Sequence, residues 1–303
     1  MPGRKFRRLT LQTSAKVNLA LEVLGKRPDG YHELVTLLQA VDLSDRLALE
    51  EYDSVTLQTT DTRLPTDEKN LVVRAVRLLQ EATGTSRGVR IRLDKRIPVA
   101  AGLGGGSSDA AATLWGLNRL WKLRWPAARL AELATELGMD VPFFLRGGRT
   151  LATGRGEILT PLPAAPQLAL VLVSPNFPLS TREVYERVPQ TLREDGSRAR
   201  ALLDSLVTRS ATRVAANLYN SLEAVVEPAY PVITRIKSAL RNAGALGAVM
   251  SGSGPTVVGV ARSLEHAKQI RTRLTRGTWS CWAVRTVSGP AIRVVRDEVT
   301  RGA

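Results

Sequence analysis

The sequence contains very few of the residues that build zinc sites and disulfides. It has one cysteine, Cys281, and two histidines, His32 and His266, among 303 residues. One cysteine cannot form a disulfide within the chain, and these three side chains do not make a zinc cluster of known spacing. We therefore expect any bound metal to be a hard cation with oxygen ligands, such as Mg²⁺.

Long apolar segments are also missing. The longest unbroken aliphatic run, at 168–173, is far shorter than the roughly 20 residues that cross a bilayer. Near the start of the chain, Gln12, Lys16 and Asn18 interrupt the apolar pattern that a secretory signal would need. The sequence thus predicts a cytoplasmic protein without a membrane span.

Acidic residues are scarce relative to basic ones, which gives a formal net charge of +15. The excess is spread over the whole chain, with basic runs at 4–8, 87–96, 193–213 and 271–276. A positive field attracts an anionic substrate such as a nucleotide, and it also attracts nucleic acid non-specifically. The charge alone leaves both possibilities open.

Apolar periodicity predicts a mixed α and β chain. Partial alternation at 9–24 and 47–57 predicts strands, with a PDG turn at 28–30 between them. Helical spacing predicts a helix over 70–81, and alternation returns at 89–93. Further along, 126–137 is typical of a helix that begins with proline and ends at Gly138, and 168–173 is typical of a buried strand after a proline-rich linker.

The segment PVAAGLGGGSSDAAA at 98–112 is the most informative part of the sequence. Its glycines let the backbone approach a ligand closely, and Ser107 or Ser108 is expected to cap the helix that follows, with Asp109 in the first turn. Such a helix start offers free amide groups and the positive end of a dipole to phosphate groups. A mobile loop is the alternative. Neither the GK[ST] of the common P-loop nor a complete GxGxxG is present.

This segment resembles the PxxxGLGxSSxAA motif of the GHMP kinases, a family that includes galactokinase, homoserine kinase, mevalonate kinase and phosphomevalonate kinase. SGSGPTVVGV at 251–260 resembles the third motif of the family, and SAKVNLALEVLGKRPDGYHEL at 14–34 resembles the first. Departures at Ser14, Met139 and Val258 remove no reactive group. The resemblance implies an ATP-dependent small-molecule kinase that phosphorylates an alcohol, with ATP and Mg²⁺ as cofactors.

The resemblance also implies a two-domain α+β fold. The N-terminal domain, expected over 1–163, would carry the glycine-rich phosphate loop, and the C-terminal domain, expected over 164–303, would be ferredoxin-like. The substrate would lie between them.

Asp140 and Lys16 are the catalytic residues that the resemblance implies. A carboxylate in a turn can accept or orient the proton of an attacking hydroxyl group, but it can also cap local amides. Lys16 is either a solvated strand residue or a cation that pairs with Asp140, and the resemblance favours the pair. Asn18 lies two residues along the same strand, so we expect it in the substrate pocket.

A base-binding site is implied by the first motif, which is most similar to that of a family member whose substrate carries cytidine. In that kinase a tyrosine stacks on the base and a histidine reads its edge, which are the roles implied for Tyr31 and His32. Tyr185 would provide the second stacking face, with Thr181 nearby. A lone histidine is more often structural, so that alternative stays open.

Further site residues follow from the matched motifs. The substrate is expected to contact the third motif at Gly252, Ser253 and Gly254. Ser108 is also a candidate magnesium ligand, although capping would explain it equally well. The residues expected to bind ATP are Asn70, Lys95, Pro98, Gly102, Leu103, Gly104, Gly105, Gly106, Ser107 and Ser108.

Two rival functions remain at this point. A GHMP kinase of the homoserine or mevalonate type would not explain the pair Tyr31 and His32 together with Tyr185. A nucleic-acid-binding protein is supported by the charge alone. We expect ATP and a cytidylyl small molecule as partners, no specific nucleic acid, no membrane, and a monomer or weak homodimer.

Overall fold

A computed structural model describes residues 5–163, 165–275 and 278–301. They form an α+β fold on two sheets. The strands are β1 (Lys5–Lys26), β2 (His32–Tyr52), β3 (Val55–Thr59), β4 (Gly88–Asp94), β5 (Arg149–Gly154), β6 (Ile158–Pro161), β7 (Ala169–Ser174), β8 (Tyr219–Asn220), β9 (Gly247–Met250), β10 (Val257–Ala261), β11 (Ser280–Arg285) and β12 (Ile292–Arg301).

The described helices are all too short or too polar to reach across a bilayer. They are α1 (Leu71–Thr83), α2 (Gly105–Leu120), α3 (Ala127–Leu137), α4 (Val141–Arg146), α5 (Thr181–Glu186), α6 (Ser197–Val207), α7 (Ala211–Ala216), α8 (Glu223–Ala229), α9 (Val232–Asn242) and α10 (Leu264–Leu274).

The first sheet has the strand order β12-β1-β2-β4-β3, with β5 also paired to β2. Leucines that alternate along β1 and β2, such as Leu9 and Leu47, pack in one core with residues of α1 and α2. This confirms the strand predicted over 9–24. The single strand predicted over 47–57 is wrong, because the chain turns after Tyr52 and β3 pairs in parallel with β4.

The second sheet has the order β11-β7-β10-β9, and every neighbouring pair is antiparallel. Numbered along the chain, this is the 4-1-3-2 order of a ferredoxin-like unit, with α10 connecting β10 to β11. The buried strand predicted over 168–173 is confirmed as β7. Its side chains are buried on both faces, with Leu170 and Leu172 in one core and Val171 and Val173 in another.

The last strand returns to the first sheet. β12 pairs antiparallel with β1, so that Leu9 lies opposite Asp297. The domain boundary predicted after residue 163 falls between β6 and β7 and stays a prediction, and residue 164, where the second domain was expected to begin, lies outside the described residues. No motif near the chain's end indicated the return of β12.

The start of α2 differs from the prediction. Neither Ser107 nor Ser108 is the N-cap, because the helix already begins at Gly105. Gly104 occupies the N-cap position with φ of 69°, a left-handed conformation that glycine adopts without a steric penalty. Asp109 therefore lies in the second turn. The other two helix predictions are confirmed as α1, capped by Asn70, and α3, which ends at Gly138.

Candidate active site

A cavity of about 1080 Å³ is lined by residues from both halves of the chain. Its volume matches or exceeds that of most single-ligand sites, which leaves room for two ligands. Most of the predicted site residues line it, namely Lys16, Asn18, Tyr31, His32, Pro98, Gly102, Gly104, Gly105, Gly106, Ser107, Asp140, Thr181, Tyr185, Gly252 and Ser253.

One end of the cavity is formed by the N-terminus of α2. The first amide groups of a helix have no partner within the helix, and Gly104 supplies no side-chain cap for them. The residues that carry these amides, at 105–107, line the cavity. Together with the positive end of the helix dipole, they make this end a site for anions, above all for phosphate groups.

The two glycine loops of the sequence pack directly against each other. A Cβ atom at Gly102 would lie 2.3 Å from the carbonyl oxygen of Ser251, so only glycine allows this approach. The Ser251 hydroxyl group donates a hydrogen bond to the Gly102 carbonyl oxygen at 3.1 Å and accepts one from the backbone N–H of Asn18 at 3.1 Å. Ser251 thereby fixes both loops to β1; the sequence placed it at the start of the third motif but not among the predicted site residues.

Lys16 and Asp140 meet in the middle of the cavity. Lys16 Nζ lies 3.3 Å from Asp140 Oδ2. The lysine side chain is 6% exposed whereas the aspartate side chain is 39% exposed, so the carboxylate remains accessible to a ligand. A buried cation beside an accessible carboxylate is an arrangement that can orient a hydroxyl group and stabilise the charge that develops on it.

A chain of hydrogen bonds fixes the position of Lys16. Its ammonium group donates to Asn18 Oδ1 at 2.8 Å, and Asn18 Nδ2 donates to Thr36 Oγ1 at 2.8 Å. Thr36 donates in turn to the carbonyl oxygen of Ala20 at 2.6 Å. Thr36 also lines the cavity, but the sequence carried no signal for it because its position depends on how β2 pairs with β1.

The other end of the cavity holds a pair of rings. The ring centroids of His32 and Tyr185 are 5.3 Å apart, and the ring planes are inclined by 33°. Burial, and secondarily the charge of Lys26, lower the pKa of His32, so the imidazole is mainly neutral at pH 7. Burial, and secondarily the charge of Asp140, raise the pKa of Tyr185, so its hydroxyl group stays protonated.

Tyr31 lies at the rim of this ring pair. Its side chain is 52% exposed, and the guanidinium group of Arg155 lies over its ring, 5.0 Å from the centroid. Arg155 also lines the cavity and was missed by the sequence predictions, since its loop carries no motif. Nearby, the hydroxyl groups of Thr181 and Ser253 are hydrogen-bonded at 2.9 Å, which joins α5 to the second glycine loop.

Five predicted site residues do not line the cavity: Asn70, Lys95, Leu103, Ser108 and Gly254. Asn70 caps α1, because its Oδ1 accepts a hydrogen bond from the amide of Val72 at 3.0 Å. Leu103 is fully buried. The hydroxyl group of Ser108 is also fully buried and donates to the carbonyl oxygen of Ser14 at 2.6 Å, so its position does not support the predicted magnesium ligand.

Lys95 lies beneath the phosphate loop rather than in the cavity. Its ammonium group forms ion pairs with Asp45 and, at 2.8 Å, with Asp109, and its side chain is 4% exposed. A Cβ atom at Gly105 would lie 2.8 Å from Lys95 Nζ. The predicted ATP contact therefore has no support from the position of Lys95, which instead supports the start of α2 from below.

Two family models match the chain in order. The model for the GHMP kinases N terminal domain matches residues 70–148, and the model for the GHMP kinases C terminal matches residues 202–280. Among similar relatives, the 4-diphosphocytidyl-2-C-methyl-D-erythritol kinase of Pelotomaculum thermopropionicum is 48% identical, over 88% of this chain and 94% of the relative. The protein of the same name from Gloeobacter violaceus is 45% identical, over 86% and 88%.

Solved structures of related kinases have the same fold. A crystal structure of 4-(cytidine 5'-diphospho)-2C-methyl-D-erythritol kinase matches with a TM-score of 0.80 and 38% identity, over 93% of this chain and 100% of that one. The homoserine kinase of Cytophaga hutchinsonii matches with a TM-score of 0.73 at 24% identity, over 95% and 97%, which shows a common fold only. With both domain models matched and relatives nearly half identical over most of their length, this chain belongs to the GHMP kinase family.

Proposed function

We propose that this chain uses ATP to phosphorylate the 2-hydroxyl group of 4-diphosphocytidyl-2-C-methyl-D-erythritol, a step in the non-mevalonate formation of isoprenoid precursors. The proposal rests on one observation: a single cavity is lined by the N-terminus of α2, the Lys16–Asp140 pair and the rings of His32 and Tyr185. Two kinase relatives that are 48% and 45% identical to this chain are named for this substrate.

ATP fits the residues at the α2 end of the cavity. The amide groups at 105–107 have no side-chain cap and face the space that an anion would fill. Membership of this kinase family implies ATP as the phosphoryl donor. When bound, ATP supplies the phosphoryl group, and the α2 N-terminus holds its phosphates toward Lys16 and Asp140.

The acceptor hydroxyl group would be positioned by Asp140. Its accessible carboxylate accepts the hydroxyl proton or orients the hydroxyl oxygen for attack, and Lys16 stabilises the negative charge that develops on that oxygen. Asn18 and Thr36 hold the lysine in place through the two hydrogen bonds of 2.8 Å. Positioning of this kind accounts for much of the rate enhancement in phosphoryl transfer.

Mg²⁺ would be held mainly by the phosphate oxygens of ATP. Within the described residues, no group of three acidic, histidine or cysteine side chains is arranged to hold a metal ion. Mg²⁺ commonly keeps several waters and takes one or two carboxylates together with substrate phosphates. Asp140 is left to the acceptor hydroxyl group, so water would fill the other positions around Mg²⁺.

The cytidine ring would bind between the aromatic side chains at the other end. Tyr31 and Tyr185 offer faces for stacking, and the neutral His32 offers both a donor and an acceptor for the base edge. A homoserine or mevalonate acceptor carries no base, so it leaves this ring cluster without a ligand. A nucleic-acid-binding function does not explain the Lys16–Asp140 pair.

A substrate panel tests the proposal directly. Purified protein is incubated with ATP and Mg²⁺, and ADP formation is followed with the cytidylyl methylerythritol compound, homoserine or mevalonate as acceptor. We expect turnover with the cytidylyl compound alone. Turnover with homoserine or mevalonate instead would reassign the acceptor, and ATP-independent binding of RNA without any turnover would point to the nucleic-acid function.

A further inference from the structure

We infer that the exposed face of the first sheet holds a second binding site, for a small anion that carries two or more phosphate groups. The site is a depression of about 770 Å³ whose lining includes four arginines, Arg8, Arg46, Arg92 and Arg296. It is separate from the kinase cavity, because none of its lining residues contributes to that cavity. It also gives a role to part of the basic excess that the kinase reaction does not use.

The depression lies on the side of the sheet that faces away from the helices. Side chains alternate between the two faces of a strand, and the buried Leu9, Leu47 and Ile91 share a core with α1 and α2. The residues next to them in sequence, including Arg8, Arg46 and Arg92, therefore point to the opposite face. The described helices leave this part of the sheet open to solvent.

The strand register places the arginines around two small residues on neighbouring strands. Thr10 lies opposite Ala48 on β2 and opposite Arg296 on β12, while Ala48 lies opposite Arg92 on β4. The Cα atoms of Arg296 and Arg92 are thus about 14 Å apart, because three strand spacings separate β12 from β4. The two small residues between them form the floor.

Arg8 and Arg46 complete the rim along the strand direction. Arg8, on β1, lies opposite Glu50 on β2. Arg46 is also on β2, four positions before Glu50. Four long side chains with planar, fork-shaped donors therefore surround one depression. Guanidinium groups in this arrangement suit the bidentate recognition of phosphate oxygens.

Three of these guanidinium groups are available to a ligand. The side chains of Arg8, Arg46 and Arg92 form no hydrogen bond or ion pair with any other described residue, although their backbones take part in the sheet. The two acidic residues of the lining are already paired: Glu298 lies 3.6 Å from Arg296, and Asp94 lies 3.2 Å from Arg96. The balance of unpaired charge in the depression is positive.

The lining favours a small phosphate compound over nucleic acid. It contains no aromatic side chain, so it offers no stacking surface for bases. The remaining lining includes hydroxyl and amide groups from Thr10, Gln58, Thr59 and Thr60, which are further donors for phosphate oxygens. The volume lies within the range of small-molecule sites, and the paired acids at the rim interrupt any longer basic track.

Calorimetric titration with inorganic tripolyphosphate tests the site. The protein is first saturated with a non-hydrolysable ATP analogue, so that the α2 N-terminus is occupied, and the titration is done at physiological salt. The variant Arg46→Gln/Arg92→Gln removes two rim charges. Its matched control is Arg235→Gln/Arg241→Gln, which removes two exposed charges from α9.

We expect one equivalent of tripolyphosphate to bind the wild type and the α9 control alike, and the rim variant to bind about tenfold or more weakly. Kinase turnover should be the same in all three proteins. No binding to the wild type, or an equal loss in both variants, would overturn the inference. A short single-stranded RNA that binds more tightly than tripolyphosphate, and is lost in the rim variant, would overturn the small-anion assignment in favour of nucleic acid.

Discussion

Lys16 Nζ lies 3.3 Å from Asp140 Oδ2, with the lysine buried and the aspartate still accessible. Lys16 comes from the middle of the long strand β1, and Asp140 occupies the N-cap position of the short helix α4. Asn18 holds the ammonium group from the other side, at 2.8 Å. The lysine is therefore fixed by protein contacts, while the carboxylate of Asp140 remains accessible to a ligand.

The variant Asp140→Asn should lower kcat by about 100-fold or more, because it removes the negative charge and keeps the shape of the side chain. The Kd for ATP and the melting temperature should change little, since the aspartate is partly exposed and contributes no cap hydrogen bond to α4. Steady-state kinetics, ATP titration and thermal unfolding measure the three quantities.

Glu186→Gln is the matched control for this variant. Glu186 also lines the cavity, but its carboxylate pairs with Arg182 at 2.8 Å and lies at the base end. Its kcat should stay close to that of the wild type. A kcat for Asp140→Asn within a few-fold of the wild type would remove Asp140 from the catalytic assignment.

The sequence predicted the parts of the site that lie within continuous motifs. The glycine loop at 98–112 and the second loop at 251–260 both line or support the cavity, because their glycines specify local backbone geometry. Lys16 and Asn18 were predicted to share a face by strand period, and their hydrogen bond of 2.8 Å agrees. Backbone geometry that depends only on neighbouring residues can be predicted from one segment of the sequence.

Positions that depend on pairing between distant segments were not readable in this way. Lys95 matched an ATP-binding position, yet its partners Asp45 and Asp109 come from two other elements, and their carboxylates draw the ammonium group into the interior. The pairing of β12 with β1 likewise depends on an edge of the sheet that is left open by the rest of the fold. No local pattern encodes either contact.

Gly106→Ala should separate ligand binding from folding at the phosphate loop. A Cβ atom there would meet only Leu71 Cδ1, at 3.5 Å, so the fold accommodates it, and alanine favours the helix by roughly 0.5–1 kcal/mol. The methyl group would nevertheless lie at the α2 end of the cavity, where we propose that the phosphates bind. We expect about tenfold weaker ATP binding, measured by titration, with an unchanged or higher melting temperature.

Gly105→Ala provides the contrast at the neighbouring position. Its Cβ would lie 2.8 Å from Lys95 Nζ and 2.9 Å from Ile97 Cγ2, so this variant should lose stability as well as ATP affinity. If Gly106→Ala binds ATP as tightly as the wild type, the amides at the start of α2 do not contact the phosphates.

Asp109→Asn should change how stability depends on pH. Burial raises the pKa of Asp109, although Lys95 opposes the shift, and Asp109 Oδ1 has no hydrogen-bond partner among the described residues. As pH rises above about 4, the folded state therefore keeps a proton that the unfolded state has lost, until the ion pair with Lys95 forms, so the free energy of unfolding falls over this range.

The asparagine variant lacks this titration, so its free energy of unfolding should fall less across that range. Urea unfolding at several pH values measures it, with Asp94→Asn, an exposed-pair variant at the end of β4, as the control. Parallel pH profiles for the wild type and Asp109→Asn would mean that the carboxylate ionises normally in the folded protein.

His32→Ala should relax the preference for cytidine. The neutral imidazole can donate or accept one hydrogen bond at the base edge, and losing a hydrogen bond of this kind costs about 0.5–1.5 kcal/mol. We expect KM for the cytidylyl substrate to rise up to roughly tenfold, while the uridine analogue is affected less. Equal effects on both substrates would indicate that His32 packs against Tyr185 without reading the base.

Tyr185→Ala should weaken binding of the cytidylyl substrate by about 1–3 kcal/mol, roughly tenfold to a hundredfold, if its ring stacks on the base. Tyr185→Phe keeps the ring and removes the hydroxyl group, whose pKa is raised by burial and by Asp140, so it separates stacking from any polar role. We expect the phenylalanine variant to bind the substrate nearly as well as the wild type.

Both variants should bind ATP normally, because the base end and the α2 end are separate parts of the cavity. Titration of each ligand into each variant, together with melting temperatures, measures these effects. Equal losses for ATP and the cytidylyl substrate, accompanied by a lower melting temperature, would show that Tyr185 stabilises the fold and does not form the base site.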